Sequence, residues 1–328
     1  MLTNRLLKIL SIITVIGAYV MIVLGVLVST TGSGQGCGNS WPFCHGEIIP
    51  GTLSIKGLTE YSHRFASSID GFLVLALSIW SWWTYRKDRL ITLYAALGLG
   101  FVVLQGALGA VTVVYEGTLV LPWLLSVHFG LSLLAFAYVL LLTTRLFELG
   151  RGGRESTTSA RPARWLQISF WGLTVYTYLV VYSGALVEHT GAVIGCGHDL
   201  PGCGSTYFPN LGTLAGIQVL HRYAAGLLWL ATLILLIAVL RRYRERRGLM
   251  AGAWWSFILV TLQALVGVSN VLTTGQMVPA LIHSTLISVF FAVLCYLCAQ
   301  VGWPGRRAEV ARPVESQPVE PAPISSRR

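Results

Sequence analysis

The stretch LGVLVSTTGSGQGCGNSWPFC at residues 24–44 has a second copy, SGALVEHTGAVIGCGHDLPGC, at residues 183–203. In each copy, the end of an apolar run leads into a Gly-containing segment with two cysteines that are separated by six residues. The two copies lie 159 positions apart in a chain of 328 residues. An internal repeat at this distance predicts a molecule that is built from two similar halves.

Rarer residues continue the repeat in the same order along both halves. Apolar helices match one another easily by chance, whereas a shared order of His, Gln and Cys landmarks does not arise so easily. The landmarks are HRFA from His63 and HRYA from His221, LQGALGAV around Gln105 and LQALVGVS around Gln263, and lastly His128 and His283.

The composition indicates that most of the chain avoids water. Charged residues make up only 11% of the chain, whereas a soluble domain has about 25%. Apolar runs long enough to cross a hydrocarbon core of roughly 30 Å recur along the sequence. Within lipid such runs must be helices, because their backbone groups have no water to bind. The eight predicted spans are about 9–29, 65–85, 90–114, 122–146, 165–187, 214–240, 252–273 and 280–302.

Positive charge falls on alternate sides of these spans. All but three of the 23 lysines and arginines lie at the N-terminus, in the 2–3, 4–5 and 6–7 connections, or in the C-terminal tail. This positive-inside pattern predicts that both termini are cytoplasmic. The net charge of +10 therefore needs no nucleic acid partner. The first span is too long for a secretory signal and follows no transit peptide, which favours a multi-pass protein of a prokaryotic cell membrane.

These patterns predict an all-α integral membrane protein with eight transmembrane helices, arranged as two tandem, pseudo-symmetric four-helix bundles. Because both halves have the same orientation, they form a parallel repeat about an axis along the membrane normal. The predicted domains are an N-terminal bundle at 1–146, a cytoplasmic linker at 147–163, a C-terminal bundle at 164–302 and a disordered cytoplasmic tail at 303–328.

Four histidines, His63, His128, His221 and His283, lie near the starts of the even-numbered spans and therefore at similar depth. Ionisable groups inside a membrane are costly and usually functional. Two facing histidines in a four-helix bundle can bind the iron of a heme from both sides, which predicts one heme in each half. The alternative is that each histidine only hydrogen-bonds a neighbouring helix. Other metals fit less well, because no thiolate lies at matching depth.

The two halves differ beside the first histidine of each pair. Glu60 lies three residues before His63, whereas Gln218 lies three residues before His221. Residues at this spacing share a helix face, and a carboxylate can accept a proton where an amide cannot. This difference predicts that the first half carries out chemistry and that the second holds a permanent heme. The alternative for Glu60 is an interfacial ion pair with Arg64.

Several other polar residues allow two interpretations each. Arg64 and Arg222 follow the helix 2 and helix 6 histidines, where they can contact heme propionates or only anchor helix ends. Asp70, deeper on the face of His63, can extend a proton path or pair with another helix. Gln105 and Gln263 are interpreted as interhelical hydrogen-bonding residues.

The external cysteines form two pairs in loops that face an oxidising compartment. Cys37 with Cys44 and Cys196 with Cys203 are each predicted to form a disulfide, and a redox role for the first pair stays open. Zinc is disfavoured there, because the neighbouring histidines complete no familiar set of four ligands.

The combination of these features resembles the heme A synthase family, over about residues 5–302. The motifs that carry the resemblance are two four-span halves, EYSHR at 60–64, His128, HRYA from His221, His283 and the external cysteine pairs. The resemblance implies oxidation of a methyl group of heme O to a formyl group by successive hydroxylations, which yields heme A for terminal oxidases. Nothing in composition or spacing identifies heme O.

The resemblance also implies site roles and partners. Heme b is expected as a cofactor on His221 and His283, with substrate heme on His63 and His128 and with Glu60 as the catalytic residue. Expected partners are membrane lipid, a quinol or other electron donor, and heme O synthase. Two other classes stay open: a di-heme quinol or ferric electron-transfer protein, and a heme transporter or chaperone.

Overall fold

The computed structural model describes residues 2–150 and 162–305, which form eight α-helices and one short 3-10 turn. All eight helices are long and apolar enough to cross a membrane, which confirms the predicted all-α, eight-span fold class. Most of the predicted linker and tail, at 151–161 and 306–328, lies outside the described residues. The helices are α1 (Leu2–Thr30), α2 (Ile55–Tyr85), α3 (Arg89–Val114), α4 (Leu121–Gly150), α5 (Arg164–His189), α6 (Leu214–Arg242), α7 (Arg247–Leu272) and α8 (Met277–Val301).

Helix α2 begins at Ile55, ten residues before the predicted start at about 65. The hydroxyl of Ser54 caps this helix by accepting a hydrogen bond from the backbone N–H of Gly57 at 3.1 Å. Thr213 caps α6 in the same way, through Gly216. The prediction failed because the first turns of α2 carry polar residues, which a search for apolar runs leaves out, although a side-chain cap stabilises the helix there.

The helices pack as two four-helix bundles that share one interface. In each bundle, every helix contacts the next, and the first contacts the last. The bundles meet where α4 packs against α5 and α8, and where α1 packs against α8. Buried side chains from both halves, such as Leu133, Phe170 and Phe290, form one continuous apolar cluster. The two halves are therefore packed as one unit rather than as separate modules.

The two cysteine loops close over the same end of the bundles, which we call the disulfide end. Cys37 is bonded to Cys44, and Cys196 is bonded to Cys203. Each loop carries a matching backbone pair, in which the N–H of its second cysteine donates to the carbonyl oxygen three residues later at 3.0 Å. The repeat seen in the sequence is thus also a repeat of loop structure.

Candidate functional site

A cavity of about 1030 Å³ runs through the disulfide end of both bundles. It is lined by all four predicted heme ligands, and by both members of the Glu/Gln pair that distinguishes the halves. The arginines that follow the histidines also reach it. The lining residues predicted from the sequence are His63, His128, His221, His283, Glu60, Gln218, Arg64, Arg222, Asp70, Gln105 and Gln263.

Each of the four histidines lies against a glycine of the preceding helix. A Cβ atom added to that glycine would lie close to the imidazole Cε1 atom; in three pairs the ring would have to shift, and in the Gly109–His128 pair the contact would be an ordinary one. The pairs, with the distance from the added Cβ to Cε1, are Gly25–His63 (3.2 Å), Gly109–His128 (3.6 Å), Gly184–His221 (2.8 Å) and Gly267–His283 (3.0 Å). In both halves, therefore, a glycine of the preceding helix packs against each histidine ring.

The histidine pair of the second half has a geometry that suits one iron atom. The ring centroids of His221 and His283 are 6.5 Å apart, with an angle of 83° between the ring planes. With metal–nitrogen distances of about 2.0 Å and about 1 Å from nitrogen to ring centroid, two rings on opposite sides of an iron would lie roughly 6 Å apart. The Nδ1 atom of His221 is 2.9 Å from the hydroxyl of Ser183. That contact orients the ring and leaves Nε2 for a ligand.

The first-half pair lies in the same cavity and is braced from α3. The Nε2 group of Gln105 donates to the carbonyl oxygen of His128 at 2.8 Å and also contacts the hydroxyl of Ser132. This is the predicted interhelical role of Gln105. Gln263 occupies the matching place, with its Oε1 buried and without a partner among the described residues.

The ligand chemistry of the site fits a heme better than a bare metal ion. Within residues 2–150 and 162–305, no cluster of three or more His, Cys, Asp or Glu side chains can hold a metal. The histidines come in pairs, and a porphyrin supplies the four remaining ligands of a six-coordinate iron. The Nδ1 atoms of His63, His128 and His283 are buried without hydrogen-bond partners in the described part of the chain. The rings of His63 and His128 are thus held by packing rather than by a polar network.

Glu60 and Gln218 occupy equivalent places and perform the same structural task. Glu60 is 4% exposed, and its Oε2 accepts a hydrogen bond from the backbone N–H of Cys37 at 2.8 Å. Gln218 is 2% exposed, and its Oε1 accepts from the N–H of Cys196 at 3.0 Å. Each side chain therefore ties the first cysteine of its loop to the helix that carries the histidine.

The two side chains differ in their second contact. The Oε1 atom of Glu60 accepts a hydrogen bond from Nη2 of Arg64 at 2.5 Å, whereas Nε2 of Gln218 donates to the carbonyl oxygen of Val193 at 2.6 Å. The ion pair weighed as the alternative for Glu60 is thus present. Glu60 nevertheless lines the cavity beside His63, so the same carboxylate can reach a bound ligand.

Both arginines hold the disulfide loops, a role more specific than anchoring helix ends. Nη1 of Arg64 donates to the carbonyl oxygens of Ser40 and Phe43, at 3.1 and 2.6 Å. Nη1 of Arg222 donates to those of Asp199 and Gly202, both at 2.7 Å. The Nε and Nη2 groups of Arg222 are buried with no partner among the described residues. Arg222 thus brings a guanidinium group with two unpaired donors to the wall of the cavity.

Comparison with known proteins places the chain in a family. Residues 8–295 match the COX15-CtaA family, described as cytochrome oxidase assembly protein. The chain belongs to the COX15-CtaA family. Proteins named heme A synthase from Bacillus mycoides and Bacillus cereus are each 41% identical to it over 294 residues, covering 90% of this chain and 93% of theirs. A Bacillus anthracis protein of the same name is equally similar.

This member of the COX15-CtaA family has two cavity carboxylates that were not predicted from the sequence, Glu116 and Glu188. Glu116 lies in the connection between α3 and α4 and lines the cavity. Burial raises its pKa, and the nearby charge of Glu60 raises it further. The matching α7–α8 connection, TTGQ at 273–276, contains no acidic residue. The first half of this family member therefore contributes Glu60, Asp70 and Glu116 to the cavity wall, whereas the second half contributes Glu188, whose counterpart in the first half is Ser29.

A fifth cavity histidine was also missed, because the repeat offers it no matching histidine. His189, the last residue of α5, lines the cavity. Its Nδ1 atom is 3.1 Å from the hydroxyl of Ser29 on α1. The contact joins the two halves of this COX15-CtaA protein at the disulfide end.

Proposed function

We propose that this protein is a heme A synthase that oxidises a methyl group of heme O to a formyl group by successive hydroxylations. The single observation that carries the proposal is the asymmetry of two otherwise matching sites. Both halves have a glycine-supported histidine pair, but Glu60, the cavity carboxylate three residues before the first histidine, is replaced by Gln218 at the matching position of the second half. The name shared by the Bacillus relatives supports the choice of heme O and heme A.

In this proposal the first bundle binds the substrate and the second binds a cofactor. His63 and His128 bind the iron of heme O, and His221 and His283 bind the iron of heme b. When bound there, heme b supplies electron transfer. The 6.5 Å separation of the second-half rings supports bis-histidine ligation. The position of Arg222 in the cavity wall, without an ion pair among the described residues, supports contact with a propionate, whereas Arg64 is already engaged by Glu60 and its loop.

Glu60 is the proposed catalytic residue. Oxidation of a methyl group releases protons and develops positive charge on the carbon. A buried carboxylate at the cavity wall can accept a proton and stabilise that charge. Arg64 and the N–H of Cys37 fix the orientation of the carboxylate. The same contacts couple the position of Glu60 to the Cys37–Cys44 loop.

The proposal places this multi-pass protein in the cell membrane with both termini in the cytoplasm. The positive-inside distribution of lysine and arginine supports this orientation, which puts the disulfide end outside. In this scheme residues 1–146 form the catalytic domain and residues 164–302 the heme b domain. Each hydroxylation needs an oxidant, which is dioxygen in this scheme; it takes two electrons from the methyl carbon and two from a quinol or other donor, and heme O synthase supplies the substrate.

A pair of matched variants tests whether the first bundle binds the substrate and the second binds the cofactor. His221→Ala should remove the spectrum of the tightly bound heme b from purified protein. His63→Ala should keep that spectrum and lose heme A formation from supplied heme O. Retention of the spectrum in His221→Ala, or heme A formation by His63→Ala, would overturn the assignment. Equal heme b loss in both variants would instead favour a di-heme electron-transfer protein.

A further inference from the structure

Asp70 is a buried carboxyl group that the proposed chemistry does not use. It lies on α2, seven residues after His63, which places it about 10 Å farther from the disulfide end on roughly the same helix face. Asp70 is 6% exposed and lines the cavity. Its Oδ1 atom is buried and has no hydrogen-bond partner among the described residues. The expected alternative, pairing with another helix, is therefore not observed for this oxygen.

The neighbouring helix leaves space for this carboxyl group. Asp70 lies against Gly17 of α1, and its Oδ1 occupies the space that a side chain at position 17 would need. Helix α1 can approach α2 here only because Gly17 has no Cβ atom. Gly17 and Asp70 thus form a packed pair in the part of the first-half site that lies farther from the disulfide end.

The second half replaces both members of this arrangement with larger or apolar residues. Leu228 corresponds to Asp70, and Tyr176 corresponds to Gly17, by the offsets that relate the two halves. Leu228 is 2% exposed. The hydroxyl of Tyr176 donates to the carbonyl oxygen of Ala224 at 3.0 Å. The half proposed to hold heme b therefore has an apolar side chain where the substrate half has a carboxyl group without a partner.

An unpartnered carboxyl oxygen inside a membrane protein is costly unless a ligand binds it. A proton path to Glu60 is not supported by the intervening hydroxyl, because Ser67 donates to the carbonyl oxygen of His63 within its own helix. Because Oδ1 faces Gly17, a ligand hydroxyl group at this depth would bind the other oxygen of the carboxyl group, on the side where Asp70 lines the cavity. In heme O, the propionates occupy one edge of the porphyrin, and a hydroxyl-bearing isoprenoid chain occupies the opposite edge. Heme b has a vinyl group in place of that chain.

Resting on the proposed function, we infer that Asp70 binds the hydroxyl group of the isoprenoid side chain of heme O, and that it makes the first-half site prefer heme O over heme b. The propionates then point to the disulfide end, and the hydroxyl points inward to Asp70. Leu228 leaves the second-half site without this preference. Asp70 is thus a specificity-determining residue that accepts or donates a hydrogen bond and takes no part in the oxidation.

The test compares the affinity of the first-half site for heme O and for heme b, measured by spectral titration of purified protein that retains its second-half heme. Asp70→Leu, which copies the second half, should weaken heme O binding about tenfold and leave heme b binding unchanged. Asp70→Asn keeps hydrogen-bonding groups and should stay within about threefold of the wild type for heme O. Asp88→Asn, which removes a carboxylate outside the cavity, is the matched control and should leave the affinity ratio unchanged.

Unchanged heme O affinity in Asp70→Leu, or an equal loss for both hemes, would overturn the inference. If Asp70→Leu does not retain its second-half heme, Asp70→Ala takes its place with the same two outcomes. Failure of the proposed function is a separate result, because it requires that the wild-type protein form no heme A from heme O. If the wild-type protein forms heme A, and the Asp70 variants still prefer heme O over heme b, only the role of Asp70 is contradicted.

Discussion

Replacement of Glu60 by glutamine is the perturbation that the structure defines best. The amide oxygen can still accept the hydrogen bond from the N–H of Cys37, as Gln218 does for Cys196 in the second half. The ion pair with Arg64 is lost. A hydrogen bond to a charged group contributes about 1.5–3 kcal/mol, and Arg64 keeps its two carbonyl contacts. We therefore expect a folded protein that is destabilised by no more than about 3 kcal/mol.

The effect on turnover should be much larger than the effect on stability. General acid–base assistance is worth about 10²–10⁴-fold in rate, so Glu60→Gln should form heme A at least about 100-fold more slowly. The variant should keep its second-half heme b and accumulate heme O or a hydroxylated intermediate. The assay is expression with a supply of heme O, followed by chromatographic quantification of the extracted hemes.

A double variant, Glu60→Gln with Gln218→Glu, is the matched control for this experiment. It keeps one carboxyl group but moves it to the second half, with the tether to the cysteine loop preserved in both. It should remain as inactive as Glu60→Gln, because the carboxylate then lies beside the wrong histidine pair. Wild-type levels of heme A in the single variant would refute the catalytic role of Glu60 and leave only its structural contacts.

Three further predictions follow from the packing, the helix caps and the charges. Gly184→Ala should lower the heme b content more than Gly109→Ala lowers substrate-heme binding, because the added Cβ would lie 2.8 Å rather than 3.6 Å from the facing imidazole; heme-to-protein ratios measure both. Burial acts to raise the pKa of Asp88, but hydrogen bonds from Arg145 and two backbone N–H groups hold it below 3.8. Its stabilising contribution is therefore present above about pH 3.8 and is lost as the pH falls through the lowered pKa. Asp88→Asn keeps an oxygen that can cap α3 but loses the ion pair with Arg145, so it should lower the free energy of unfolding by about 0.5–1 kcal/mol at pH 7, and unfolding curves that coincide with the wild type at pH 7 would contradict this. Cysteine-accessibility labelling should place residues 241–250 on the cytoplasmic side, and external labelling there would reverse the topology.

The sequence predicted the parts of the molecule that depend on periodic apolarity and on repeated rare residues. The eight spans were predictable because, within lipid, a helix is the only stable structure for such an apolar run. The two bundles were predictable from the internal repeat. All four histidines line one cavity, as their matching depth predicted. The start of α2 was placed too late because a capped, polar first turn gives no apolar signal.

Contacts between distant parts of the chain could not be predicted from the sequence. The hydrogen bond from the N–H of Cys37 to Glu60 joins a loop to a helix 23 residues away. No sequence pattern in either segment predicts this contact. Glu116 lies in the α3–α4 connection, which carries none of the His, Gln or Cys landmarks by which the two halves were compared. The glycines opposite the histidines, Gly25 and Gly184 for example, do follow the repeat. Their role becomes clear only when the ring that lies against each one is known.

The most direct test of the central claim is the identity of the hemes extracted from wild-type protein that has been supplied with heme O. If the first half oxidises substrate and the second holds a cofactor, mass analysis should find heme b together with newly formed heme A. Heme b alone, with no conversion of the supplied heme O, would contradict the account and favour an electron-transfer protein with two equivalent hemes.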